Sequence, residues 1–320
     1  MDSFKFTPYL KSVIWGGDKI AALKHIDVSA TDIGESWEIS GVAGCETRVA
    51  EGPDSGLTLS ELIARYRERL VGKKVWDAFG TSFPLLVKII DARADLSVQV
   101  HPDDELAARR HGCAGKTEMW YILDTEPGAR IYAGLSADLT PASYRKAVES
   151  NTIMDYIKAH DSKPGDTFFL PAGRVHAIGA GNLLLEIQQT SDITYRIYDY
   201  DRRDANGNPR ELHTEQAVDA IDYRVFPEYK SAAIGIAPGV KSLAACKYFD
   251  VRLHNIVKPE AVGYADGSFV IVCCVSGKIS VSTRQGNAVS VSCGESVLVP
   301  AERDMLIIDG SGEAVTAFVP

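Results

Sequence analysis

Four side chains of ligand type stand where they can meet around one metal ion. They are Gln99, His101, Glu118 and His176. Side chains alternate across a strand, so Ser97, Gln99 and His101 share one face of the run 96–102. Two imidazoles, a carboxylate and an amide oxygen suit a borderline divalent cation. The sequence therefore predicts a metal site assembled from three separate strands.

Two further elements must bring their ligands to that strand. In the run 116–123, the alternation of a strand groups Lys116, Glu118 and Trp120 on one face. In the run 165–176, the glycines and proline shape a tight turn that returns His176 toward the other ligands. Short strands that meet in this way are typical of a β-barrel whose mouth holds the ligands.

An internal repeat indicates two structural units of the same kind. The run from Gly165 to His176 aligns without gaps on the run from Gly294 to Met305. Met305 replaces the histidine, so the second copy lacks that ligand. We expect a second barrel that binds no metal and in which Met305 is buried, because methionine packs into irregular gaps.

Length and composition allow two globular domains. The 320 residues are 45% hydrophobic and 24% charged, as is usual for a folded protein of two domains. We predict domains at 1–235 and 236–320, a loose linker over 226–242, and helical segments at about 58–72 and 141–160.

Charge and cysteine content limit the partners and the compartment. The net charge of −9 argues against nucleic acid, since no basic stripe is available to neutralise phosphates. No apolar run reaches the length of a membrane span, and the N-terminus lacks the pattern of a signal peptide. Six cysteines without a CxxC pair favour free thiols. We expect a cytoplasmic protein that does not bind membranes.

The motifs around these ligands resemble a known family. The turn ending in His176 resembles the second motif of the cupin superfamily, whose first motif usually carries His-x-His. Here Gln99 and His101 take those places, and Glu118 follows much later. This departure resembles the type I mannose-6-phosphate isomerases, especially their short bacterial branch. The runs that carry the resemblance are 96–103, 115–120 and 190–196.

The resemblance implies a fold, a cofactor and a reaction. The expected fold is mainly β, with two cupin (jelly-roll) β-barrels and a small helical insertion. The expected cofactor is one Zn²⁺ per chain. The expected reaction is the interconversion of mannose 6-phosphate and fructose 6-phosphate through a cis-enediol, with a sugar phosphate as the partner molecule. Neither the residues nor the resemblance indicates an oligomeric state.

The resemblance also assigns roles to individual residues. The metal ligands are Gln99, His101, Glu118 and His176, and the active-site arginine is Arg196. The expected substrate contacts are Ser97, Lys116, Glu186 and Asp192. Long family members carry a histidine where this chain has Gly115, and a tyrosine where it has Ile178. A mechanism that needs either side chain cannot operate here.

Several chemical questions stay open at the level of sequence. The proton carrier is Lys116, a water on the metal, or Asp192. Arg196 shares strand parity with Asp192, which predicts that this carboxylate orients the guanidinium. Because an arginine is a poor base, we expect Arg196 to stabilise enediolate or phosphate charge. A cupin dioxygenase with Fe(II), and a sugar-sensing or storage cupin, are the competing functions.

Overall fold

The computed structural model describes residues 1–26, 32–203, 207–262, 267–284, 286–303 and 305–320. Strands dominate these residues and the helices are short, which confirms the predicted mainly β class. None of the helices described is long and apolar enough to cross a membrane.

The strands of the described residues are short in the first half of the chain and longer near its end. In chain order they are β1 (Phe4–Thr7), β2 (Tyr9–Gly17), β3 (Ile33–Ile39), β4 (Arg48–Val49), β5 (Leu85–Ala92), β6 (Val98–Val100), β7 (Glu118–Thr125), β8 (Arg130–Leu135), β9 (Ile157–Asp161), β10 (Thr167–Leu170), β11 (His176–Ile178), β12 (Asn182–Gln189), β13 (Tyr195–Tyr198), β14 (Lys230–Ser231), β15 (Ile234–Ala237), β16 (Val240–Ala245), β17 (Asp250–Ile256), β18 (Glu260–Val262), β19 (Val270–Thr283), β20 (Val289–Ser292), β21 (Ser296–Val299) and β22 (Leu306–Phe318).

Among the described residues, four short helices precede β5, and the later helices pack beside the strands that follow it. They are α1 (Lys19–Leu23), α2 (Leu59–Tyr66), α3 (Glu68–Val71), α4 (Lys73–Phe79), α5 (Asp104–His111), α6 (Pro141–Glu149), a 3₁₀ turn (Ile153–Tyr156) and α7 (Thr214–Ala220).

Hydrogen bonds join the strands into three sheets. A seven-stranded sheet has the order β14-β10-β7-β12-β5-β3-β2, and a five-stranded sheet has the order β13-β6-β11-β8-β9. A ten-stranded sheet follows the path β15-β16-β17-β22-β19-β21-β1-β4, with β18 on β22 and β20 on β19. The first two sheets belong to the region with the predicted ligands.

The seven-stranded sheet lies between two apolar cores because its side chains alternate. Met119 and Tyr121 of β7 pack in a core shared with helices α2 to α4 and the ten-stranded sheet. Trp120 of β7 packs in a second core that includes Ile131 and Ala133 of the five-stranded sheet. The five-stranded and seven-stranded sheets therefore face each other across the region of the predicted site.

The outer face of the five-stranded sheet is covered by helices. Val98 and Val100 of β6 pack there with residues of α5, α6 and α7. Gln99, between them, must then point to the inner face. The strand parity predicted for this segment is confirmed.

The prediction of two barrels is not confirmed. Among the residues described, no sheet closes on itself through hydrogen bonds, and β14 and β2 remain the ends of the seven-stranded sheet. The first two sheets face each other and are joined through side-chain packing rather than through hydrogen bonds.

Two local predictions are wrong. The helix expected over 141–160 ends at Glu149, since Asn151 adopts a φ of 56° that interrupts it. The residues from Ile157 then pair with β8 as β9. The expected linker 226–242 instead supplies β14, β15 and the start of β16. Helix was correctly placed near 58–72, although Arg67, with a φ of 50°, divides it into α2 and α3.

The internal repeat folds as one strand and turn in both copies. β10 and β21 occupy equivalent positions in the two runs, and the glycines that precede them, Gly165 and Gly294, have φ values of 86° and 82°. Asp304 lies outside the described residues. Met305 is partly exposed, so its predicted burial is wrong, and Leu306 enters the core instead with 1% exposure.

The N-terminal strand joins the sheet of the C-terminal half. Phe4 of β1 pairs with Leu298 of β21, and the expected boundary at 235/236 falls inside β15. The division into two domains therefore stays a prediction, and two strands of the N-terminal half, β1 and β4, lie in the sheet of the C-terminal half.

Candidate active site

Three of the predicted ligands meet between the two facing sheets. Glu118 opens β7 in the seven-stranded sheet, while His176 opens β11 in the five-stranded sheet and His101 directly follows β6. The Nε2 atoms of His176 and His101 lie 3.2 Å and 3.5 Å from the two carboxylate oxygens of Glu118. Each side chain offers a ligand atom within 4.8 Å of the others. Among the described residues this is the only group of three or more His, Cys, Asp and Glu side chains with that geometry.

Backbone carbonyls fix the orientation of both imidazoles. Nδ1 of His101 lies 2.9 Å from the carbonyl oxygen of Ile193, and Nδ1 of His176 lies 2.8 Å from that of Arg174. A carbonyl oxygen only accepts hydrogen bonds, so each Nδ1 carries the proton and each Nε2 keeps its lone pair. Both lone pairs then face the carboxylate of Glu118.

This cluster has the chemistry of a cation site. Nε2 of His101 and both oxygens of Glu118 are buried, with no hydrogen-bond partner in the described part of the chain. Lone pairs that face each other at these distances repel unless a proton or a cation lies between them. A divalent cation would satisfy all of these atoms, and two imidazoles with one carboxylate form a common zinc set.

Burial changes the proton affinity of each ligand. Burial, together with the neighbouring Glu186 carboxylate, raises the pKa of Glu118 to about 8. Burial lowers the pKa of His176 to about 4. Burial and the charge of Lys116 hold the pKa of His101 well below its ordinary value. Both histidines are therefore neutral at pH 7, as metal ligands must be.

Gln99, the fourth predicted ligand, lies beside the cluster. It is the cross-strand neighbour of His176, and its Nε2 lies 3.4 Å from Nε2 of His176. Rotation of the amide by 180° exchanges its nitrogen and oxygen, which would turn Oε1 toward the cluster. Gln99 is the least buried of the four side chains.

Predicted and unpredicted charges lie together next to Glu118. Nζ of Lys116 is 3.4 Å from Oε2 of Glu118. Glu186 accepts a hydrogen bond of 2.9 Å from the indole of Trp120 and lies 3.4 Å from Nζ of Lys88. Lys88, only 4% exposed, is a site residue that the sequence reasoning missed. A charged side chain inside the apolar strand β5 was the available signal.

The other predicted contacts occupy different surroundings. Ser97 is buried just before β6. Arg196 is the cross-strand neighbour of Gln99, which places it beside the cluster. Its Nη1 donates a hydrogen bond of 2.9 Å to the carbonyl oxygen of Glu211, and its Nε is buried without a described partner.

The prediction that Asp192 orients Arg196 is wrong. The side chain of Asp192 is 55% exposed, and its carboxylate lies 4.0 Å from Nζ of Lys11. The carboxylate near Arg196 is Asp199, which pairs with both Arg202 and Arg210. Strand parity was insufficient because Asp192 precedes the strand, which begins only at Tyr195.

Two arginines therefore pair with one buried aspartate, and Arg196 lies nearby. Arg202 and Arg210 both donate to Asp199, with a distance of 2.7 Å from Nε of Arg210 to Oδ2. Arg196 lies on β13, which ends at Tyr198 just before Asp199. Burial and the charge of Arg210 lower the pKa of Arg196 from its ordinary value. The group carries an excess of positive charge that suits a multivalent anion.

Without metal, the protein should lose stability as the pH rises from about 6.5 to 8. With its pKa raised to about 8, Glu118 keeps a proton that the unfolded chain releases at its ordinary carboxyl pKa, so its contribution is lost as the pH rises through that value. Histidines with lowered pKa values have the opposite sign, and their contribution is complete only about one pH unit above 6.5, but it is the same in Glu118→Gln and cancels in the comparison. Relative to Glu118→Gln, thermal unfolding of the chelated protein at the two pH values should show a loss of up to about 2 kcal/mol. An equal change in that variant would contradict the assignment.

Comparisons with known proteins agree with this geometry. Residues 3–128 match the family description "Phosphomannose isomerase type I, catalytic domain", and residues 240–319 match "Mannose-6-phosphate isomerase, cupin domain". A probable mannose-6-phosphate isomerase of Bacillus subtilis, GmuF, is 40% identical over 316 residues, or 96% of each chain. A putative mannose-6-phosphate isomerase of the same species, YvyI, is 34% identical over 98% of each chain. The crystal structure of a mannose 6-phosphate isomerase from B. subtilis superposes with a TM-score of 0.88 at 32% identity, and the match covers 99% of both chains.

Proposed function

Because the chain belongs to the type I mannose-6-phosphate isomerase family, we propose that it interconverts mannose 6-phosphate and fructose 6-phosphate through a cis-enediol with the help of one zinc ion. The observation that carries this proposal is the buried cluster of His101, Glu118 and His176, whose ligand atoms lie within 4.8 Å of one another. Nε2 of His101 and both oxygens of Glu118 have no hydrogen-bond partner among the described residues. The dioxygenase and the sugar-sensing cupin have no comparable support, since the relatives are named as isomerases.

Zinc would be held by the two imidazoles and the carboxylate, with Gln99 as the fourth ligand. Zinc is commonly bound by four ligands that donate through nitrogen or oxygen, and this set provides both. A zinc ion in this position supplies a Lewis acid that polarises the sugar carbonyl and stabilises the charge of the enediolate oxygens.

Proton transfer between C1 and C2 falls to Lys116 in this proposal. Its Nζ lies 3.4 Å from the Glu118 carboxylate and the side chain is almost fully buried. Asp192, the alternative carboxylate, is exposed and paired loosely with Lys11. Lys116 as a neutral amine would take a proton from one carbon and, as the ammonium ion so formed, would return it to the other carbon.

The phosphate group would bind at the arginines of β13 and the residues that follow. Arg196 lies beside Gln99 on the neighbouring strand. Arg202 and Arg210, held by Asp199, add further positive charge. Asp199 holds two of these side chains in place, and a phosphate could then accept hydrogen bonds from the remaining guanidinium donors. Ser97, two residues before Gln99, and Glu186, whose charge acts on Glu118, would contact the sugar hydroxyls.

We also propose that both halves of the chain are cupin jelly rolls of one origin, with the C-terminal half lacking metal. The equivalent strands β10 and β21 support this, as does the cupin description matched by residues 240–319. In this proposal the enzyme works in the cytoplasm on a free sugar phosphate.

Solvent isotope incorporation tests the proposed reaction. Mannose 6-phosphate is incubated with the zinc-loaded protein in D₂O, and both sugar phosphates are analysed by NMR. A cis-enediol predicts deuterium at C1 of fructose 6-phosphate and, after reversal, at C2 of mannose 6-phosphate. Isomerisation over many turnovers without deuterium would contradict the enediol, and no isomerisation would contradict the function.

A further inference from the structure

The three amides just before Glu118 and strand β7 are held by two side chains and one backbone carbonyl outside that strand. The N–H of Gly115 donates to Oδ1 of Asp104 at 3.0 Å, and the N–H of Thr117 donates to Oε1 of Gln189 at 2.9 Å. Between them, the N–H of Lys116 donates to the carbonyl oxygen of Pro102 at 3.1 Å. All three amides before β7 thus depend on residues outside it.

Asp104 connects this segment to the C-terminal half of the chain. Oδ1 also accepts a hydrogen bond of 3.0 Å from Nε2 of Gln189. Oδ2 accepts a hydrogen bond from the hydroxyl of Tyr248, which lies between β16 and β17. Nζ of Lys247 also lies near this carboxylate, 3.4 Å from Oδ2. One carboxylate therefore binds the active-site segment on one side and the C-terminal half on the other.

Gly115 leaves the segment no freedom to move closer to α5. A Cβ at this position would lie 2.6 Å from the backbone of both Asp103 and Asp104, which is closer than real Cβ atoms approach other atoms. The space of a side chain is occupied by the first turn of α5. A displacement of Asp104 must therefore reach Gly115 and its neighbour Lys116 directly.

We propose that Asp104 and Tyr248 are positioning residues, through which the C-terminal half of the chain fixes Lys116 and Glu118 for the reaction. The inference rests on the proposed function for its kinetic consequence, but not for its structural one. It gives the half without the ligand cluster a part in catalysis, since Tyr248 belongs to the stretch that matches the cupin domain.

Removal of a single hydroxyl tests this positioning role. Tyr248→Phe keeps the ring and deletes the hydrogen bond to Asp104. Tyr66→Phe is the matched control, because the hydroxyl of Tyr66 donates to the carboxylate of Asp54 at 2.8 Å away from the ligand cluster. Both variants are compared with the unchanged protein in kcat and KM for mannose 6-phosphate, zinc release to a chelator, and amide hydrogen exchange.

The proposal predicts three effects that are specific to Tyr248→Phe. The value of kcat should fall roughly threefold to tenfold, as expected for one lost hydrogen bond that positions a reacting group, with KM little changed. Exchange at the amides of Gly115 and Thr117 should accelerate, and zinc release should become faster. Asp104→Ala should show the same three effects, and Asp104→Asn should show them only weakly. An amide oxygen at position 104 still accepts from the N–H of Gly115, and its NH₂ can donate to the hydroxyl of Tyr248.

Equal exchange and equal zinc release in Tyr248→Phe and Tyr66→Phe would overturn the proposal, even if both variants lose thermal stability. An unchanged protein that fails to isomerise mannose 6-phosphate would instead overturn the proposed function. The exchange and zinc-release measurements would then still decide whether Tyr248 positions the segment.

Discussion

His176→Ala should abolish zinc binding and lower kcat for mannose 6-phosphate by about a thousandfold or more. The imidazole supplies one of three converging ligand atoms, and its Nδ1 is already fixed by the carbonyl oxygen of Arg174. The loss of a metal that stabilises enediolate charge costs several kcal/mol of transition-state stabilisation, and each 1.36 kcal/mol is a factor of ten in rate. The fold should persist, because the metal-free cluster contains buried atoms without partners and does not stabilise the protein. Metal content by elemental analysis and a coupled isomerase assay measure both effects.

His254→Ala is the matched control for the loss of a buried histidine. His254 is 1% exposed and lies 3.1 Å from Oγ1 of Thr316 in the ten-stranded sheet. Its removal should reduce stability but leave the zinc content near one ion per chain. A His176→Ala protein that keeps its metal and its turnover would refute the ligand assignment.

Unphosphorylated mannose should be a far poorer substrate than mannose 6-phosphate. The loss of a charged partner in a partly desolvated site costs on the order of 2–5 kcal/mol, which corresponds to roughly 30-fold to 5,000-fold in kcat/KM. Arg196→Ala should narrow this difference, since it should lower kcat/KM only for the phosphorylated sugar. Lys116→Met should lower kcat/KM for both sugars by the same factor, because Nζ of Lys116 lies beside Glu118 and takes part in proton transfer rather than in phosphate binding. The ratio of kcat/KM for the two sugars in each variant is the measurement.

Arg224→Ala serves as the control for the loss of an arginine. The guanidinium of Arg224 is exposed and paired with Asp222, so neither sugar should be affected. The opposite result is that Arg196→Ala lowers kcat/KM equally for both sugars while Lys116→Met lowers it only for mannose 6-phosphate. That result would contradict both assigned roles.

The sequence was most informative where a pattern constrained side-chain direction. The alternation around Gln99 and His101 placed the valines on the helix-covered face and the ligands on the inner one, as the structure confirms. The repeat identified β10 and β21 as equivalent strands. Both inferences rest on local geometry, which the order of residues determines directly.

Predictions that depended on distant partners were less successful. Residues from Ile157 form a strand because β8 offers a partner for pairing, and the spacing of apolar residues alone could not show this. His160 and His254 have polar neighbours in the sequence, yet both are buried and hydrogen-bonded. Tertiary contacts outweighed local composition in each case.

The same limitation applied to the charged groups of the site. Lys88 lies at the cluster because β5 pairs with β12, which brings it opposite Glu186. Arg202 and Arg210 converge on Asp199 only after a turn in which Tyr200 and Asp201 adopt positive φ values. No short motif encodes either arrangement.

The most direct test follows the two sugar phosphates by ³¹P NMR as the protein is stripped of metal and then reloaded. Mannose 6-phosphate should stay unchanged with the chelated protein. It should convert to an equilibrium mixture with fructose 6-phosphate once about one equivalent of zinc per chain is restored. Conversion by the chelated protein at an undiminished rate, or no conversion after any divalent metal is restored, would contradict a metal-dependent isomerase.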